Sequence, residues 1–181
     1  MRKAEFFERV PALFEHSKPQ WEKGYNELIY GVRRPLTAAN VRDVTAWVGD
    51  GKPLAPGPRD LAALNEVLAR IRWPDVRSLA RLKGIEGLTL PRAVALLHFH
   101  NPSFPTFQAG AVAGLGALGK RIRRPEALGL DNLRAYRRYM DAITELKDGI
   151  PFRDVPESHY FHSWVLECAL AELARGQGGQ S

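Results

Sequence analysis

Gly84, Gly87 and Thr89 stand between two apolar runs and carry the chemistry of an anion grip. Glycine lets backbone approach a ligand closely and enter the left-handed region. The first amides of a following helix are unpaired and sit at the positive end of its dipole. Thr89 has the hydroxyl to cap that helix, and Lys83 and Arg92 bracket the turn with positive charge. A phosphate is the natural occupant of such a turn. The same glycines also suit the plainer work of ending one helix and starting the next.

Other groupings offer less. His98 and His100 diverge by about 200° on a helix and cannot readily share a metal. His159 and His162 are i, i+3 neighbours without a third ligand nearby. Asp141, Glu145 and Asp148 read as a solvated helix face, and Cys168 as a small buried apolar residue. The stretch from Ala109 to Gly119 has the glycine density of a phosphate loop, but Arg121 follows Lys120 where such a loop needs Ser or Thr. A helix of small residues pressed against a neighbour accounts for it better. Glycine costs a helix up to about 1 kcal/mol relative to alanine, so a packing reason is expected. No cofactor and no metal are expected.

The elements that must position these groups read as helices. Phe6, Phe7, Val10, Leu13 and Phe14 recur on one face, with Pro11 placed to shorten or kink it. Trp21, Tyr25, Leu28 and Ile29 make a second stripe. Thr37, three residues before Asn40, predicts a helix start with Val41, Val44, Trp47 and Val48 inward. The run Gly49 to Pro58 is a loop. Leu61 to Ile71 is a helix that stops at Trp73-Pro74, and Val76, Leu79 and Leu82 mark a shorter one. Leu133, Tyr136, Met140, Ile143 and Leu146 share a face with Asp131 at the cap. A last helix begins near Pro156-Glu157, with Asp154 as a cap, and carries Trp164, Leu170 and Leu173. No segment alternates with period two. The expectation is an all-α protein, with a single helical domain over 1–175 and a disordered tail over 176–181.

The order of parts is specific. Leu82-x-Gly84-Ile85 is followed by Ala93-Val94-Ala95-Leu96-Leu97-His98-Phe99, then Pro102, then Phe104-Pro105. In this the chain resembles the helix-hairpin-helix DNA glycosylase superfamily, especially a bacterial branch acting on 8-oxoguanine and alkylated bases. Tyr136-Arg137-Arg138-Tyr139 fits that branch's Tyr-x-x-Tyr helix. The likeness spans roughly residues 36 to 175, with motif-level detail over 82 to 108. It implies a two-lobed helical domain with a cleft, and a hairpin that holds DNA phosphate. It also implies an aspartate after Phe-Pro that stabilises the sugar as a base leaves.

Departures accompany the likeness. Gln108 stands where the aspartate belongs and supplies no negative charge. Glu86 follows Ile85 where a second glycine is usual, and would face phosphate. Leu88-Thr89-Leu90-Pro91 holds no Schiff-base lysine. The resemblance therefore implies a DNA-binding protein lacking ordinary base excision. Its contacts would be Lys83, Gly84, Gly87, Thr89 and Arg92 at the hairpin, and the cluster Lys120, Arg121, Arg123 and Arg124. One alternative is an active glycosylase with a non-standard acid such as Asp131 or Glu86, or with none on a labile cationic base. Another is a non-enzymatic relic that binds a protein or small ligand.

Composition agrees with a folded chain. Of 181 residues, 45% are hydrophobic and 25% charged, enough for one good core. Lys and Arg number 26 against 20 acids, a net charge of +6 that favours polyanionic partners such as DNA. A second basic group gathers at Arg134, Arg137 and Arg138. The single cysteine forms no internal disulfide, and no apolar run spans a bilayer. A cytoplasmic protein with no membrane partner is expected. Nothing in the sequence sets the lesion or the oligomeric state.

Overall fold

The computed structural model describes residues 2–149 and 162–178. Seven α-helices and one 3₁₀ turn make up the regular structure among them: α1 (Lys3–Gly31), α2 (Ala38–Val48), α3 (Pro58–Arg70), the turn Arg77–Leu82, α4 (Leu90–His100), α5 (Ala109–Ala117), α6 (Leu130–Lys147) and α7 (His162–Gly178). The fold is all-α, and among the described residues one isolated bridge between Arg72 and Asp75 stands in place of any strand. No helix among the described residues is long and apolar enough to cross a membrane.

Starts and stops follow local chemistry. Thr37 Oγ1 accepts from the Asn40 amide at 3.1 Å while Asn40 Oδ1 accepts from the Thr37 amide at 3.2 Å, a reciprocal cap for α2. Elsewhere tertiary packing overrides the local signals. Pro11 neither ends nor divides the first helix, which runs unbroken for 29 residues. Proline removes one bond, but Phe6, Val10 and Leu13 on either side of it are buried, and α1 as a whole packs against α7. Asp131 does not cap α6. Gly129 holds the cap position, and Asp131 lies in the first turn paired with Arg134 at 3.3 Å. The final helix extends through Gly178, so Gly176 to Gly178 belong to it rather than to a disordered tail. The expected start near Pro156, the Asp154 cap and His159 lie outside the described residues.

Two helices lie at the centre of the core. Residues 90–99 of α4 are all buried, as are 163–171 of α7. An aromatic junction ties them together. The ring of Tyr25 in α1 stacks on Trp164 at 3.9 Å, and Trp47 of α2 meets Phe99 edge-on at 5.2 Å. The Phe104 carbonyl accepts from His98 Nδ1 at 2.6 Å, which leaves His98 Nε2 to accept from the Tyr25 hydroxyl at 2.9 Å. His98 is neutral there, because burial pushes its pKa down to about 4. Helix α5 lies against α7 with almost no side chain between them. A Cβ on Gly114 would overlap the Leu170 backbone, with the carbonyl carbon 2.6 Å away, and one on Gly110 would meet Ala171 Cβ at 2.8 Å. This close approach is the packing reason for the small residues of α5.

Candidate functional site

The hairpin joins the 3₁₀ turn to α4. Lys83, Gly84, Glu86 and Gly87 are exposed, whereas Ile85 and Leu88 turn inward and anchor the loop. Gly87 needs to be glycine, with φ at +74°. Thr89 caps α4, accepting from the Arg92 amide at 3.4 Å and donating to Asp50 Oδ2 at 3.0 Å. The Leu90 amide donates to the Glu126 carbonyl at 2.7 Å, and Pro91 has no amide to offer. The start of α4 is thus closed to an anion. Among the described residues, the amides of Gly84, Glu86 and Gly87 make no backbone hydrogen bond.

Arg92 corrects the expectation placed on it. Its side chain is only 5% exposed and pairs with Asp50 Oδ1 at 2.6 Å. It also donates to the carbonyls of Gly87 at 2.8 Å and Lys52 at 2.9 Å. The guanidinium braces the hairpin against the Gly49–Pro58 loop and is not presented to a partner. The downstream basic cluster is split in the same way. Lys120 pairs with Glu145, and Arg124 with Glu126. Arg121 and Arg123 stay exposed, the latter donating to Asn132 Oδ1 at 2.9 Å.

Gln108 lies on a cleft. A cavity of about 470 Å³ is lined by Trp47, Pro91, Thr106, Gln108, Arg124 and Arg175, between the α2–α4 side and the α5–α7 side. Gln108 is the N-cap residue of α5 but makes no cap bond with its side chain. Its Nε2, shut away from solvent, has no hydrogen-bond partner among the described residues. Among the described residues no acceptor meets the amides of Ala109, Gly110 or Ala111 either, and the first cap bond is that of Val112 to the Gln108 carbonyl. An uncapped helix start therefore faces a cavity that also holds two arginines. Arg124 is committed to the Phe107 carbonyl at 2.8 Å, and Arg175 pairs with Glu172 at 2.9 Å.

The backbone ahead of Gln108 is held unusually. Phe107 adopts φ of +60°, a left-handed conformation that a bulky residue rarely takes. Its ring packs on Tyr139 at 4.9 Å and Tyr136 at 5.3 Å, and the Tyr136 hydroxyl donates to the Pro105 carbonyl at 2.8 Å. Behind the turn lies Glu167, fully buried. Glu167 Oε2 accepts from the Thr106 amide at 2.8 Å. Its Oε1 accepts from Thr106 Oγ1 at 2.9 Å, the Phe107 amide at 2.9 Å and the Tyr139 hydroxyl at 2.6 Å. Burial pushes the Glu167 carboxyl up, while these bonds pull the other way. Burial also raises the Tyr136 and Tyr139 phenols, which stay protonated as donors.

Sequence reasoning missed Glu167, which is far along the chain from Thr106. The only hint was an acid inside the apolar run from Trp164 to Leu170. The two carboxylates considered as substitutes do not line the cleft. Asp131 is 88% exposed on α6, and Glu86 projects from the hairpin. Among the described residues no cluster of His, Cys, Asp or Glu could hold a metal. No family model, curated protein or solved structure matches this chain.

Proposed function

We propose that this protein binds duplex DNA through the hairpin at Lys83 to Gly87 and receives one extruded nucleotide in the cleft before Gln108. It would act as a base-repair-type protein of the helix-hairpin-helix glycosylase kind, without ordinary excision. The observation that carries this reading is the shared first turn of α4. The hairpin enters that turn from one side, and Pro91 forms a wall of the cleft on the other. The cavity falls within the size range of small-molecule sites. Lys83, the exposed hairpin amides, Arg121 and Arg123 supply the phosphate contacts.

Gln108 supports binding and not hydrolysis. Its amide offers no charge to a sugar developing positive character. The uncapped start of α5 is itself partly positive, which opposes that transition state further. Duplex affinity over a salt series tests the reading. Lys83→Glu should weaken binding across sequences and flatten the salt slope by about one. Unchanged affinity and slope would return the hairpin to being a turn. A second reading, a small ligand in the cleft of a protein that does not bind DNA, draws on the closed start of α4 and the pairing of Lys120 and Arg124. It requires no salt-dependent duplex binding in the natural protein.

A further inference from the structure

We infer that Glu167 is the positioning residue of the cleft, an assignment that rests on the cleft being the functional site. Three of the four hydrogen bonds it accepts come from Thr106 and Phe107, the two residues immediately ahead of Gln108. The fourth, from Tyr139, fixes the carboxylate itself. The neighbouring backbone is held as well, with the Pro105 carbonyl bound by Tyr136 and the Phe107 carbonyl by Arg124. What this set enforces is the left-handed Phe107, which turns the chain so that Gln108 and the open amides of α5 meet the cavity.

The price of burying a carboxylate without a cation argues against mere packing. No described Lys or Arg forms an ion pair with Glu167, and a leucine there would fill the core without that penalty. Strained backbone persists only where its surroundings over-determine it, and such places gather at functional sites. Glu167 is too enclosed to touch a ligand, so it acts through the Thr106–Gln108 segment. With the carboxylate gone, Phe107 relaxes to negative φ. Because Gly114 pins α5 to α7, the displacement falls on Gln108 and the first turn of α5.

The test compares natural protein, Glu167→Gln, Tyr139→Phe and Leu64→Ala, the last a destabilised core elsewhere. Glutamine keeps the size but turns an NH₂ group toward donors. The first readout is preference for a duplex with one abasic-site analogue over an intact duplex, since extrusion is cheapest there. Glu167→Gln should lower that preference about tenfold, the worth of one hydrogen bond to a charged group. Tyr139→Phe should lower it less, and Leu64→Ala should leave it unchanged. Equal loss in Leu64→Ala, or full preference in Glu167→Gln, overturns the assignment.

If the natural protein shows no preference, the cleft reading of function fails by itself, and amide spectra decide the role of Glu167. In Glu167→Gln, or in Tyr139→Phe if that variant does not fold, the Gln108 side-chain amide and the Ala109 and Gly110 resonances should move with Thr106 and Phe107, while α4 stays fixed. Changes confined to Thr106 and Phe107 overturn it.

Discussion

The start of α4 has every amide of its first turn answered, whereas the start of α5 has three that meet no acceptor among the described residues, beside a cavity. At α4 the answers are the Thr89 hydroxyl, the Glu126 carbonyl and a proline with nothing to donate. At α5 the cap position is held by Gln108, whose side chain reaches none of those amides. The sequence suggests the reverse, with an anion grip at Thr89 and Arg92 and a lost function at Gln108. A helix start can serve either its own fold or a partner. Here the one beside the glycine turn serves the fold.

Four substitutions press on that contrast, beginning with the largest effect. Arg92→Leu leaves the Asp50 carboxylate and the carbonyls of Asp50, Lys52 and Gly87 without their donor and should cost about 3 kcal/mol in urea unfolding, toward the low end for a broken buried pair because Asp50 is partly wet. A cost near zero would mean that α4 is closed without its brace. Next comes the link between the two regions, His98, which sits in α4 and holds the Phe104 carbonyl just ahead of the α5 turn. The unfolded chain takes up a proton below about 6.5, while folded His98 resists until about 4. Stability held above pH 6.5 is therefore lost as pH falls toward 4. Glu167, with its pKa raised, contributes in the opposite direction. His98→Gln isolates the histidine share, and thermal melts should lose much of their acid sensitivity in that window.

The smaller pair is a direct comparison. Thr89→Ala removes a working cap and should destabilise by about 1 kcal/mol. Gln108→Asp supplies a missing one and should stabilise by about 1 kcal/mol, since a carboxylate suits open amides and the helix dipole. The same variant should raise single-turnover base release from an alkylated duplex above that of the natural protein, for which little release is expected. A destabilised Gln108→Asp would show that those amides are not free to be capped.

The parts legible in the sequence are those set by neighbours along the chain. Thr37 with Asn40, Thr89 ahead of α4, and the small residues of α5 each declare their role within a few positions. The all-α class follows from the same local periodicity. What escaped is set at long range. Arg92 looks like free charge until Asp50, 42 residues earlier, folds onto it. Glu167 lies 61 residues from Thr106, and no spacing rule connects them. Pro11 reads as a breaker, yet α1 continues through it with buried neighbours on both sides. Position 108 stands out in the sequence only by its place after Phe104-Pro105, and the carboxylate behind that turn, Glu167, is found only in three dimensions.

The backbone-to-backbone seat of Gly114 on Leu170 has a mechanical consequence. A helix docked with no side chains between it and its neighbour has little travel, because sliding or rolling would collide main chain with main chain. The cleft therefore has one fixed jaw, α5 on α7, and any widening falls to the facing side, Trp47 and Val48 of α2 and Pro91 of α4. In native-state hydrogen exchange, α5 amides beyond the first turn should open only with the whole molecule, while those at the Trp47 end of α2 open at lower free energy.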